Sequence, residues 1–462
     1  MTTVLSPIDG SALGEVPDAT PAEIDAAFER ARAALEEWRG TSATRRGEVL
    51  RAVSDGIAAR AAEFAATETA NMGRSAADTA HMANRAAQTF AYFGGYADKV
   101  TGDVIQVPGE FHTYTRREPH GVVAAIVPWN APLIFAAKKL APALAFGNVC
   151  LLKPAAETPL TALLLAEVMA EAGVPDGVAQ VVTGGREAGE ALVADRRTDF
   201  VIFTGHHATG KAIARAAAEN LTPIALELGG KSPQIVFADA DLDAALEGVV
   251  DGIYGEVGQA CIAGSRLLVA EEVHAEFTAR LAARTAALRV GDPRDPAVEI
   301  GPQITPGQRD KTLRMIGTAV DEGATLAASA PVPDDPALAG GFYVSPTMFT
   351  DVTAEMEIMR EEVFGPVLAV TRFGSEEEAV RIANDTDFGL SAGIWTTGLA
   401  RAHRVAARLD AGTVWLNTYA RINDQVPFGG IGLSGYGREG GASAVETYTR
   451  VKSVWTSLSG ER

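Results

Sequence analysis

Apolar positions recur at helical spacing through most of the first hundred residues. Thr20-Pro21-Ala22-Glu23 is a capping box with proline at the first helical position, and Ile24, Ala27, Phe28, Ala31, Leu35 and Trp38 follow on one helical face. A second amphipathic helix is predicted over about 44–70 and a third, alanine-rich one over about 75–98. These hundred residues read as helices throughout. From Gly121 short apolar runs at 121–127, 149–152, 178–182, 200–203 and 224–226 alternate with helical patterns at 133–144, 160–172, 187–194 and 208–220. That alternation predicts an open, mostly parallel sheet of α/β class. Past Gly229-Gly230 it resumes, with strands at 235–237 and 267–269 and helices near 242–254 and 272–288, as in a second α/β lobe. Stretches 291–306 and 331–341, rich in Pro, Gly and Asp, read as surface loops of that lobe.

A chain of 462 residues suffices for two or three domains at roughly 100–200 residues each. With 47% hydrophobic and 21% charged residues it is neither a disordered tail, nor a collagen-like fibre, nor a disulfide scaffold. The net charge of -19 repels phosphate backbones and anionic bilayers, so neither nucleic acid nor membrane is an expected partner. The N-terminus has no basic and apolar segments of a secretion signal, and no apolar run approaches the roughly 18 residues a membrane helix requires, so a cytoplasmic protein is expected. The two cysteines, Cys150 and Cys261, fit reduced thiols better than a disulfide, and the histidines are too scattered for a metal site.

Two motif matches carry little. Gly205 to Lys211 fits a P-loop, but Ala212 lacks the hydroxyl that would hold magnesium, so ATP hydrolysis is not expected. Gly435 to Gly440 fits a dinucleotide fingerprint, yet no apolar strand precedes it and too little chain follows for a βαβ unit. It reads as a glycine-rich turn. The strand ending at Thr204-Gly205 before a helix suits a pyrophosphate, although an ordinary strand-to-helix turn would look the same. Cys150 sits in an apolar run and reads as a small buried hydrophobe. Cys261 lies in the small-residue stretch Gly258 to Gly264, which can present a thiol without steric cover. One strand ends on a carboxamide, at Val127-Pro128-Trp129-Asn130, and another on a carboxylate, at Leu226-Glu227-Leu228-Gly229-Gly230-Lys231. A thiol, an amide donor and a carboxylate are the nucleophile, oxyanion donor and general base of acyl-thioester chemistry.

These residues resemble the aldehyde dehydrogenase superfamily over essentially the whole chain. Pro128-Trp129-Asn130, Lys153-Pro154-Ala155, Glu157-Thr158-Pro159, Phe203-Thr204-Gly205, Glu227 to Lys231, Gly258-Gln259 with Cys261, Glu361 to Pro366 and Pro427 to Gly430 occur in the family's order. The resemblance implies that the Cys261 thiolate attacks an aldehyde, that the Asn130 amide and the Cys261 N–H hold the oxyanion, and that hydride passes to NAD or NADP. Glu227 would then activate the water that hydrolyses the thioester, since relatives that transfer the acyl group to coenzyme A generally lack this glutamate. Lys139 and Glu439 match positions that relay the proton away from the base, a structural ion pair being the other reading.

For the cofactor, Lys153 resembles the lysine on the adenosine ribose, Glu362 the glutamate on the nicotinamide ribose and Phe364 an aromatic beside the nicotinamide, while Thr204 and Gly205 would line pyrophosphate and ring. Trp129 would pack near the site. Relatives commonly have serine where this chain has His206, a larger side chain that adds a positive charge if protonated. NAD-preferring relatives often have glutamate at the position of Ala156, so NADP is expected to be tolerated, with the preference open. In the substrate channel, Ala131 replaces a bulky aromatic and should widen it, and Ile422 and Phe428 are candidate walls. Lys138 either attracts a substrate carboxylate, as arginine can in semialdehyde-oxidising relatives, or is simply a solvated lysine. Oxidation confined to a carboxylated semialdehyde, a cysteine hydrolase without redox chemistry and a non-catalytic binding protein of this fold are the rival readings.

The implied fold is a Rossmann-like cofactor domain over 1–100 and 120–229, an α/β catalytic domain over 230–433 and a β oligomerisation flap over 101–119 and 449–458. Val104 to Val107 and Phe111 to Thr115 flank Pro108-Gly109-Glu110 as a hairpin would. A homodimer or homotetramer is expected from that flap.

Overall fold

The computed structural model describes residues 1–459. It opens on a feature absent from the helical reading, an antiparallel hairpin of β1 (Thr2–Leu5) and β2 (Ala12–Val16). Then come α1 (Pro21–Gly40), with the Thr20–Glu23 capping box formed, α2 (Ala43–Ala59), α3 (Ala61–Met72) and α4 (Ala76–Tyr96). The helix expected over 44–70 is thus two, parted at Arg60. No glycine or proline marks the break; Arg60 leaves helical dihedrals while its guanidinium bonds Glu63 and Glu167 across the corner.

Strands β3 (Val104–Ile105) and β4 (Phe111–Pro119) form the expected hairpin. The alternating region follows as β5 (Val122–Ile126), α5 (Pro132–Ala145), β6 (Val149–Lys153), α6 (Leu160–Glu171), β7 (Ala179–Val181), α7 (Arg186–Ala194), β8 (Phe200–Thr204), α8 (His207–Ala218) and β9 (Ile224–Glu227). These strands are parallel in the order β9-β8-β5-β6-β7. Helices cover both faces, which is why Val122–Ile126 and Val149–Lys153 are buried along their whole length and read as unbroken apolar runs. The order turns back at β5, so the crevice at the carboxyl ends of β5 and β8 is a topological switch point.

The second lobe runs through β10 (Pro233–Val236), α9 (Leu242–Tyr254), β11 (Arg266–Ala270), α10 (Glu271–Ala286), α11 (Pro306–Asp321), β12 (Thr325–Ser329), β13 (Thr347–Thr350) and β14 (Val367–Phe373). After the short β15 (Phe388–Gly389) come β16 (Ser391–Trp395) and β17 (Thr413–Leu416). Its seven-stranded sheet has the order β12-β13-β14-β11-β10-β16-β17, parallel except at β12. Leu267 and Val269 of β11 enter one apolar layer, Leu268 and Ala270 the other.

The chain then returns to the first lobe. β18 (Ile431–Gly432) pairs with β15, and β19 (Gly435–Tyr436) adds an antiparallel edge to β9, opposite Glu227 and Leu226. The glycine-rich turn therefore wraps the end of the strand that carries Glu227. Finally β20 (Thr449–Ser457) pairs along the whole of β4, joining the hairpin and the chain's last strand into one three-stranded sheet. Among the described residues no helix is long and apolar enough to cross a membrane.

Candidate active site

Asn130 leaves the end of β5 nearly buried and donates from its amide to the Gln259 carbonyl at 2.8 Å, two residues before Cys261. The carboxamide is thus bonded to the turn that carries the thiol. Cys261 is half-buried, in contrast to the fully buried Cys150, whose thiol burial pushes far out of the neutral range. The turn leading to it is unusual: Glu256, Val257 and Gly258 are all in the left-handed region, with φ of 57°, 58° and 67°. A Cβ on Gly258 would lie 2.2 Å from the Gly365 carbonyl oxygen, so the cysteine turn is locked against the loop of Glu361 to Pro366. Gly230 passes equally close to the Cys261 carbonyl.

Glu227, at the end of β9, is almost wholly buried, and neither carboxylate oxygen has a hydrogen-bond partner. Burial pushes it up to about 8 against the opposing charges of Lys139, Arg438 and Lys138. The Cys261 thiol is pushed up to about 12, by burial first and then by the carboxylates of Glu362, Glu227 and Glu256, with Lys138 opposing. Lys139 is fully buried, is paired with Glu439, and is brought down to about 7 by desolvation despite the attraction of Glu227. Lys139 and Glu439 are thus an ion pair, and the charges of Lys139, Glu227 and the Cys261 thiol act on one another.

Beside them Lys138, Ile422, Phe428 and Glu439 line a cleft with Phe93 and Asp424. Lys138 is partly exposed in this cleft: its ammonium lies 5.4 Å from the centre of the Phe428 ring, and desolvation lowers its pKa while Asp424, Cys261 and Glu227 attract the charge. Ala131 is buried at the start of α5. Asp424, which no sequence motif marks, takes a hydrogen bond from Thr89 at 2.9 Å and faces Arg85.

The second group of expected residues lies at the switch point. Lys153, at the end of β6, is buried and donates to the Pro154 carbonyl at 2.6 Å. Ala156 is half-exposed there and Glu157 turns to the surface. Thr204, at the end of β8, keeps a buried hydroxyl without a partner, and Gly205 leads into α8. His206 is exposed at the start of α8. Its Nδ1 accepts the Ala208 N–H at 3.2 Å as the cap of α8, and desolvation with His207 and Lys311 brings it down to about 4. Through that bond the ring caps α8.

Between the groups, Glu362 is buried and pushed up to about 7 by burial. It accepts the Gly230 N–H at 2.9 Å, in a space that a Cβ on Gly229 would fill. Phe364 takes a left-handed φ of 57° and meets Trp129 edge-on at 5.2 Å. Sequence reasoning missed what holds this loop. Gln308 donates to the carbonyls of Val363 and Phe364, at 3.0 and 2.9 Å, and Lys311 to that of Glu362 at 2.8 Å. Both stand one turn apart on α11, and only the fold shows that this face meets the loop. An unpartnered Thr204 hydroxyl, glycines at close approach and a helix start at a switch point fit a dinucleotide. Among the described residues no group of His, Cys, Asp or Glu is placed to hold a metal.

Comparison with known proteins bears on the fold and the family. The model of the aldehyde dehydrogenase family matches residues 1–454. A betaine aldehyde dehydrogenase of Cereibacter sphaeroides is 44% identical over 457 residues, covering 98% of this chain and 93% of the relative. Among solved structures, PnpE from Pseudomonas sp. WBC-3 superposes with a TM-score of 0.97 at 43% identity, covering 100% of this chain and 95% of that one, and PnpE is also solved in complex with nicotinamide adenine dinucleotide. Betaine aldehyde dehydrogenase from Staphylococcus aureus in complex with NAD+ superposes with a TM-score of 0.97 at 37% identity, covering 100% and 92%.

Proposed function

Because this chain belongs to the aldehyde dehydrogenase family, which oxidises aldehydes to acids with NAD or NADP, we propose that the pocket around Cys261 carries out that oxidation with hydrolytic release of the product. The observation that carries the proposal is the convergence of a half-buried thiol, an amide bonded to the thiol's own turn, and a buried carboxylate with no partner.

Cys261 sulfur attacks the aldehyde carbon, and the resulting oxyanion is stabilised by the Asn130 amide and the Cys261 N–H. Bound NAD(P)+ supplies the hydride acceptor. Cys261 then carries a thioester, and Glu227 removes a proton from the water that attacks it, returning the thiolate and releasing the acid. The Lys139–Glu439 pair borders Glu227 and is suited to pass that proton on. Lys153, Thr204, Gly205, Glu362 and Phe364 would hold the cofactor, with Trp129 packed edge-on against Phe364 and His206 capping α8. Ala156 brings no carboxylate that would repel a 2′-phosphate, so NADP should bind with a measurable Kd.

In this reading residues 1–100 and 120–229 form the cofactor domain, 230–433 the catalytic domain, and 101–119 with 449–458 a flap that joins copies into a dimer or tetramer. The comparisons favour neither a dedicated semialdehyde dehydrogenase nor a non-catalytic protein. The test is reduction of NAD+ and NADP+ by aliphatic, aromatic, carboxylated and trimethylammonium aldehydes, betaine aldehyde included. Turnover that vanishes in Cys261→Ala supports the proposal. Turnover that survives in that variant refutes it.

A further inference from the structure

Arg74 takes no part in the chemistry above, yet it is among the most deeply buried cations of the chain, with 3% of its surface exposed. It follows Gly73, which ends α3 in the left-handed region, so its side chain runs inward between α3 and α4. The guanidinium forms an ion pair with Glu256 without the alignment of a hydrogen bond, and touches the Met82 sulfur at 3.5 Å. Its charge also acts on the buried Glu68 of α3, six residues earlier in the chain, without an ion pair between them.

Each of these carboxylates is fixed to one half of the reaction centre. Glu68 accepts the Leu133 N–H at 2.8 Å, on the first turn of α5 and three residues after Asn130. Ala131, at the head of that helix, offers no side-chain cap, so Glu68 supplies it from α3. Glu256 opens the run of three left-handed residues that leads to Cys261. Glutamate and valine rarely adopt that conformation, and only outside contacts keep it. Gln303 holds the Val257 carbonyl, Gly365 packs on Gly258, and Arg74 holds the Glu256 side chain.

We propose that Arg74 is a positioning residue that clamps the Cys261 turn, through Glu256, to the end of α3, the helix whose Glu68 caps the start of α5, and so sets the gap between the Cys261 thiol and the Asn130 amide. The clamp also neutralises the nearest carboxylate of the thiol's own turn. The proposal rests on Cys261 being the nucleophile. The other charges facing that thiol are Glu362 from the 361–366 loop, Glu227 from β9, and Lys138 and Lys139 from α5.

The test is the pH dependence of Cys261 alkylation by iodoacetamide, with Cys150→Ala as background, alongside NAD+ reduction. Arg74→Met should leave Glu256 unneutralised and move the alkylation profile about one pH unit upward. It should also lower kcat about tenfold while KM for NAD+ changes less than twofold. Arg74→Lys keeps the charge and should hold the profile near that of the parent. Arg74→Met/Glu256→Gln should return the profile to the parent position but leave kcat low, because the charge is gone and the clamp is still broken. Glu256→Gln alone, at a residue 43% exposed by its side chain, folds even if the arginine variants do not, and should move the profile downward. A profile unmoved in folded Arg74→Met, or in Glu256→Gln, overturns the proposal. Failure of the nucleophile reading is separate, since it would show as aldehyde oxidation that persists in Cys261→Ala.

Discussion

Glu227 stands at the end of β9 with both oxygens dry and unpartnered, and that environment sets when it can act as a base. Only its anion accepts a proton, and burial raises its pKa from the usual carboxylate range to about 8. The hydrolytic step should therefore quicken as pH rises through about 8 and level off above it; a flat profile from pH 6 to 9 would show that Glu227 is not the base. Lys138 makes a second prediction. Its ammonium faces the cleft, so at an effective dielectric near 20 a trimethylammonium group about 8 Å away is disfavoured by about 2 kcal/mol. Lys138→Met should raise kcat/KM for betaine aldehyde at least about tenfold and change that for hexanal less than about twofold. Equal effects on both would mean that the lysine shapes the cleft without selecting charge. At this scale the polar ends of strands were legible, because Asn130 and Glu227 break apolar runs. Arg74 and Asp424 were not, because their partners lie far away in sequence and only folding supplies them.

Loops between elements show the same division. The glycines around Cys261 were visible as small residues, but the reason for Gly258 is visible only in the fold, where its left-handed φ and its approach to the Gly365 carbonyl leave no room for a side chain. Gly258→Ala should lower thermal stability by about 1–3 kcal/mol and kcat more than tenfold, measured by melting and by NADH formation. Melting unchanged with kcat unchanged would show that the two loops move freely. The helices read well because Ile24, Phe28 and Leu35 repeat a face over several turns. The β1–β2 hairpin escaped because strands of four and five residues give too few repeats, and the break at Arg60 escaped because ion pairs, not a glycine or proline, make it.

For the whole molecule, the parallel sheets were announced by alternating apolar runs, and the return of 431–436 to the first lobe by nothing, since a two-residue strand leaves no pattern. The three-stranded sheet leaves Val104, Phe111, Val451 and Trp455 exposed, with Phe111 edge-on to Trp455 at 5.7 Å. If this flap joins copies, Trp455→Lys should shift the protein to smaller species in light scattering at equal concentration, and an unchanged mass would remove the flap from the interface. The account as a whole stands on division of labour between Cys261, which takes the acyl group, and Glu227, which lets it go. The most direct test mixes Glu227→Gln with NAD+ and a good aldehyde and follows NADH from the first turnover, with mass spectrometry of the peptide that holds Cys261. The account predicts a burst of about one NADH per subunit, an acyl adduct on Cys261, and steady turnover at least about a hundredfold below the parent. Undiminished steady turnover, or loss of the burst from folded protein that still binds NAD+, would contradict it.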